Sequence, residues 1–249
     1  AAGQGGLFDD AFFGGTDEAP AREWLPAERW DDRQRLLEEK GALGYFLTGH
    51  LFDACRDEVR RFVKTRISDL EKIVGKHFGS TPVTVAGIVS GLSTAMTRRG
   101  KMVRVMLDDG SGTEEIAIFP EAWDQYKHLL KEDELVVVQG KLSKDDYSGG
   151  HRLSVERILD LGTARGENAR ALQLTIAGKP DAARLRELLM PHRVDGSQGE
   201  GCPVEIHYYS DSATAVLRLG HQWAVRPDDA LLAGLKGWLT EARVEMRYR

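Results

Sequence analysis

Thr84-Val-Ala-Gly-Ile-Val89, Met102-Val-Arg-Val-Met-Leu107 and Glu115-Ile-Ala-Ile-Phe119 are rich in β-branched and apolar residues and are bounded by Gly, Asp or Ser. That is the composition of short strands separated by turns. Pro120 follows the third run, where a missing N–H does no harm. Trp123, Tyr126, Leu129 and Leu130 then fall three to four apart, on one face of a helix. Glu134-Leu-Val-Val-Val138 and Arg152-Leu-Ser-Val-Glu-Arg-Ile158 supply two further strands. Alternation assigns the faces: Val103, Val105 and Leu107 with Ile116 and Ile118 point to an interior. Met102, Arg104 and Met106 with Glu115, Ala117 and Phe119 point away from it.

Three strands, a helix and two more strands is the order of an OB-fold, a partly open five-stranded barrel, here spanning residues 82–161. Such barrels bind single-stranded nucleic acids or oligosaccharides on one face and its flanking loops. Arg104 and Phe119 come out on that face. Between strands one and two, Thr97-Arg-Arg-Gly-Lys101 is a basic hairpin tip. The loop Lys144-Asp-Asp-Tyr-Ser-Gly-Gly-His151 adds Lys144 and Tyr147. The candidate nucleic-acid contacts are therefore Arg98, Arg99, Lys101, Arg104, Phe119, Lys144 and Tyr147: cations follow the phosphates and rings stack on bases.

The 249 residues exceed one barrel, and 41% hydrophobic composition is that of a globular chain. Net charge is −5, unevenly spread. Residues 1–32 carry eight acids and two bases, residues 33–81 seven acids and ten bases, and residues 82–161 thirteen acids and ten bases. A barrel that is itself acidic grips a phosphate backbone only locally and weakly. No apolar run approaches the roughly 20 residues that span a bilayer. The N-terminus has no signal-peptide pattern and reads, with its Ala-Ala-Gly start, as an internal cut through a longer protein, and two cysteines without a disulfide framework point to a reducing cytoplasm.

Upstream of the barrel, residues 1–30 read as a flexible acidic linker rich in Gly, Ala, Asp and Glu. Gln4-Gly-Gly-Leu7-Phe8 stands out there, either as a chance Leu-Phe in a linker or as a short extended peptide with an amide to bond a partner's backbone and two apolar side chains to fill a pocket. Residues 31–80 form a helical segment. One helix runs from Arg33 to Lys40 and stops at Gly41, and another covers Phe52 to Lys64 with Arg56, Arg60 and Arg61 outward, followed by a connector with one helical turn. Downstream, Gly162 to Asn168 reads as a linker. The pattern then predicts strand, helix, two strands, a short strand at Trp223-Ala-Val225, a helix to Leu239 and a last strand, a small α+β domain over 166–249. The fold class is thus mainly β plus α+β.

Chemistry is not what these residues offer. No nucleophile motif, phosphate-cradling loop or carboxylate trio is present, Asp108-Asp109-Gly-Ser-Gly112 is a turn, and His192, His207 and His221 are scattered. Cys55 and Cys202 stand far apart and outside any metal-binding spacing, so neither disulfide nor zinc is expected.

Glu39-Lys-Gly-Ala-Leu-Gly-Tyr-Phe-Leu-Thr-Gly-His50, followed by a barrel with Leu107-Asp-Asp-Gly-Ser-Gly112 and Asp145-Asp-Tyr-Ser-Gly-Gly150, resembles the C-terminal part of the bacterial replicative DNA polymerase III alpha subunit. The resemblance implies that Gln4, Leu7 and Phe8 are that family's internal binding motif for the sliding clamp. Gly5 and Gly6 stand where the family more often has Leu and Asp or Ser. It implies that the C-terminal domain docks the tau subunit of the clamp loader and that the barrel meets single-stranded template. It places the polymerase site, with its magnesium, upstream, leaving this segment without a cofactor. The residues alone also admit a free-standing, anticodon-type RNA-binding module, or a scaffold whose barrel touches only protein.

Overall fold

The structure, a computed structural model, describes residues 29–76, 79–97, 100–145, 149–179, 181–194, 201–240 and 243–249. It opens with α1 (Asp32–Leu43) and α2 (Asp53–Phe62), a short 3-10 turn (Ile67–Asp69) and α3 (Leu70–Lys76). Asp31 caps α1 by accepting from the Gln34 N–H. Gly41 does not end this helix as its composition suggests. The stop is Gly44, at φ 84°, a left-handed position that a glycine takes without strain. Beyond it the chain turns back, and Glu39 accepts from the backbone N–H groups of Leu47 and Thr48 and from the Thr48 hydroxyl. The Glu39-to-His50 run is therefore a self-bonded turn, which accounts for its Glu39 and Thr48 and leaves Leu43, Tyr45 and Leu47 exposed.

The barrel follows as β1 (Thr81–Thr97), β2 (Gly100–Asp108), β3 (Thr113–Ile118), α4 (Pro120–Tyr126), β4 (Leu135–Lys144) and β5 (His151–Asp160). The strands lie in the order β3-β2-β1-β4-β5, all antiparallel, and β3 packs against β5 to close the circle. All five expected strands and the helix are present, with the expected faces: Val103, Val105, Leu107, Ile116 and Ile118 are buried inside. Gly140 sits at a register shift between β4 and β5. A Cβ there would collide with the Ser154 carbonyl, so only glycine lets the two strands meet.

Strands β1 and β4 are buried on both sides. Ala86, Ile88 and Val137, with Leu159 of β5, turn outward onto Leu36, Leu51, Phe52, Val59 and Val63 of the helical segment. This second core explains their near-continuous apolar sequence. Polar bonds then fix the helical segment to the β2–β3 turn. Buried Asp109 accepts from the Ile67 N–H and from Arg60 at 2.5 Å, Ser111 donates to it, and His50 Nε2 lies 3.2 Å from Asp108. Burial pushes the Asp109 carboxyl up, but these hydrogen bonds outweigh it and hold it below the usual carboxylate range. Arg60 is thus a structural strut, and Arg56 pairs with Asp53, so neither of these two is a free phosphate contact.

Residues 162–168 are not a linker. They form α5 (Leu161–Asn168), capped by Asp160, with Gly162, Ala164, Arg165 and Gly166 buried. The chain then builds β6 (Ala169–Ala177), α6 (Ala182–Leu189), β7 (Val204–Tyr209), β8 (Thr214–Arg218), α7 (Asp229–Leu239) and β9 (Val244–Tyr248). The sheet order is β8-β7-β6-β9, with β6 and β7 parallel. Leu172, Leu174, Ile206, Val225 and Val244 pack on Leu189, Leu231 and Leu235 of α6 and α7. Trp223-Ala-Val225 is not a strand: a 3-10 turn covers His221–Trp223, and Val225 makes only isolated bridges to Arg193 and Cys202. Burial pushes the Cys55 thiol up to about 11 and the Cys202 thiol up to about 12, which keeps both protonated at neutral pH. No helix among the described residues is long and apolar enough to cross a membrane.

Candidate nucleic-acid interface

The helical segment covers the outer sides of β1, β4 and β5 and leaves the outer side of β2 and β3 open. Met102, Arg104 and Met106 on β2 face solvent beside Glu115, Ala117 and Phe119 on β3. Arg104 lies opposite Ala117, and Phe119 is two residues further along the same side, 38% exposed. Phe119 also starts α4, and Pro120 comes close to Gly100 at the base of the β1–β2 hairpin. The hairpin, the ring and the Arg104 guanidinium therefore share one end of the face. Met96 stands almost fully exposed on the same hairpin, opposite Lys101.

Lys144 lies at the other end. It is exposed at the close of β4 opposite His151, and His151 Nε2 is 2.9 Å from Glu114 at the start of β3. Glu114 points inward with Ile116 and Ile118, so the Lys144 end lies about 17 Å along β3 from Phe119 and is not brought onto the outward strip that Arg104 and Phe119 form. The strip is not uniformly basic. Arg104 Nε is 3.7 Å from Glu115 across the strands, and Glu114, pushed up by burial, is held by His151. Such a surface suits rings and a few cations on a single strand better than a duplex backbone. Among the expected residues, Gln4, Leu7, Phe8, Arg98, Arg99 and Tyr147 lie outside the described residues. Lys101 is placed by its backbone in β2.

A second constellation escaped the sequence reading. Arg165 of α5, only 5% exposed, donates Nε at 2.9 Å and Nη2 at 2.7 Å to Glu58 of α2, and Nη1 at 2.6 Å to Asp229 of α7. The Tyr248 hydroxyl of β9 bonds to the same Glu58, and its ring lies 5.2 Å from that of Phe62. Burial works against the Arg165 charge, but its two carboxylates outweigh it and raise its pKa. Arg226 adds a bond of 2.7 Å to Asp160. Four elements from three stretches of chain thus meet at one guanidinium. The only local signal was Asp160 three residues before Thr163, a helix cap.

Comparison with known proteins agrees with this architecture. Residues 83–161 match the family described as OB-fold nucleic acid binding domain, and residues 184–239 match DNA polymerase III subunit alpha, C-terminal domain. The DNA polymerase III subunit alpha of Vibrio cholerae is 33% identical over 95% of this chain and 20% of its own length. That of Pseudomonas aeruginosa is 39% identical over 87% of this chain and 18% of its own. The chain therefore spans about a fifth of the length of the curated relatives it matches. Among solved structures, a small single-stranded DNA-binding protein from Streptomyces coelicolor aligns at 20% identity over 34% of this chain and 95% of its own, with a TM-score of 0.26. With an OB-fold unit followed by this C-terminal domain, and with nearly its whole length matched, the chain corresponds to the C-terminal region of the DNA polymerase III alpha subunit.

Proposed function

We propose that the chain is a tethering portion of a replicative polymerase. It holds the sliding clamp through Gln4, Leu7 and Phe8, guides single-stranded template along the open β2–β3 face, and docks the tau subunit of the clamp loader with its C-terminal domain. The observation that carries the template reading is the one-sided cover of the barrel: helices occupy β1, β4 and β5, and the side left open holds Arg104 and Phe119 at the base of a basic hairpin. Binding there is weak, sequence-tolerant and salt-sensitive, because few cations engage and one of them shares its charge with Glu115.

Fluorescence anisotropy with a labelled oligo-dT tests this. Reversing Arg98, Arg99 and Lys101 to Glu is expected to weaken binding at least tenfold at low salt and to flatten the salt dependence; unchanged affinity counts against the face. A second reading, a protein-only scaffold, draws support from the Arg104–Glu115 pair and from the barrel's excess of acids. It predicts no oligo-dT binding at any salt concentration.

A further inference from the structure

The C-terminal sheet ends in β8, whose outer edge pairs with nothing among the described residues. An open strand edge presents a row of unpaired N–H and C=O groups and is a template for another strand, unless charge or proline blocks it. From Thr214 to Leu217 this edge carries neither charge nor proline, and the exposed Arg218 closes it. Between Thr214 and Arg218 the side chains are Ala215, Val216 and Leu217, and Val216 and Leu217 are 53% and 52% exposed, on opposite sides of the sheet.

At its C-terminal end, β8 runs into a cleft of about 540 Å³. Arg170, Arg218, Arg249 and His221 line it, and among the described residues the one acidic side chain in its wall is Glu205. That carboxylate is already engaged: it accepts from Arg218 at 3.0 Å and lies 2.7 Å from His207 Nε2. Arg170 and Arg249 have no carboxylate partner among the described residues. Arg170 owes its position to a register shift, where β6 slips against β9 between Ala169 and Ala171, a device that re-aims a side chain. The concentration of positive charge is local, since residues 162–249 hold twelve bases and eleven acids.

The lining also tells which anion fits. Val204, Leu219 and Ala224 give the cleft apolar walls, and among the described residues no Phe, Tyr or Trp lines it, which leaves His221 as its one ring for a nucleotide base to stack on. Arginine forks match carboxylates two bonds at a time. We propose that β8 and the cleft at its end form a docking surface for an extended acidic segment of a partner protein, which adds a strand to the free edge of β8 and delivers carboxylates to Arg170, Arg218 and Arg249. Backbone pairing supplies affinity, Val216 and Leu217 take alternate apolar side chains, and the arginines set direction. This rests on the reading of the C-terminal domain as a protein-docking unit, not on which protein docks.

The probe is a fluorescein-labelled peptide, Val-Glu-Val-Asp-Leu-Glu, titrated with the 249-residue chain at low salt. The expected result is saturable binding with amide shifts at Thr214 to Arg218. The neutral peptide Val-Gln-Val-Asn-Leu-Gln, or the double variant R170E/R249E, should bind at least tenfold more weakly. Both altered residues are exposed, so the fold is expected to survive, and an unchanged melting curve confirms it. Equal affinity of variant and parent for the acidic peptide overturns the proposal. So does an oligo-dT that binds this cleft more tightly than the peptide and loses affinity in R170E/R249E, which would make it a nucleic-acid site. Tau binding by the parent chain is measured separately: its absence removes the docking-domain reading, whereas the peptide titration decides the cleft.

Discussion

Arg165→Ala is expected to lower stability by about 3 kcal/mol, the low end of the loss that follows when one partner of a buried ion pair is removed. Glu58 keeps the Tyr248 hydroxyl but loses two charge-assisted hydrogen bonds, with its side chain only 25% exposed. Asp229, by contrast, is mostly exposed and is rehydrated at little cost. For a chain of this size, such a loss moves the melting midpoint by roughly 6–12 °C. Because Arg165 joins α2, α5 and α7, its removal should also separate the melting of the C-terminal domain from that of the barrel. Arg165→Lys keeps the charge but not the fork, so it should restore less than half of the loss. A midpoint within about 1 °C of the parent for Arg165→Ala would mean that the node holds nothing together.

The proposed clamp-binding peptide carries the other large effect. Gln4→Ala with Phe8→Ala is expected to weaken clamp affinity by at least tenfold in a fluorescent competition assay, since an anchor ring in a pocket and an amide on the partner's backbone dominate so small an interface. The starting affinity should be only micromolar, because five residues bury well under a standard interface. Gly5→Leu should tighten binding: it restores an apolar contact and removes the conformational freedom of a glycine, worth about 1 kcal/mol. Clamp affinity that ignores Gln4→Ala with Phe8→Ala shows that the assignment is wrong. Weak binding suits a tether, because linked sites act at high effective concentration.

Much of the barrel was legible because its interior follows a period of two. Val103, Val105, Leu107, Ile116 and Ile118 alternate strictly, and alternation fixes both strand and face. What could not be read depends on contacts far apart in sequence. Gly162 to Asn168 has the composition of a loop, yet Asp160 caps it and close packing buries Gly162 and Gly166, turning it into a helix. Arg165 looked like a loop cation because its partners, Glu58 and Asp229, are 107 and 64 residues away. Gly41 reads as a helix stop because propensity counts glycine against a helix wherever it stands; the left-handed Gly44, followed by the turn bonded to Glu39, is where α1 ends. The candidate face was legible as residue types on β2 and β3, but not as the open side of the barrel. That is set by which strands the helical segment covers.

In the proposed role one chain holds clamp and template at once. Analytical ultracentrifugation of the chain with the sliding clamp and a fluorescent oligo-dT, followed at the dye's absorbance, tests it directly. Dye is expected to sediment with a species containing both chain and clamp, and to leave it when Gln4 and Phe8 are changed to Ala. Dye that sediments only with clamp-free chain, or clamp that displaces the oligonucleotide, would contradict it.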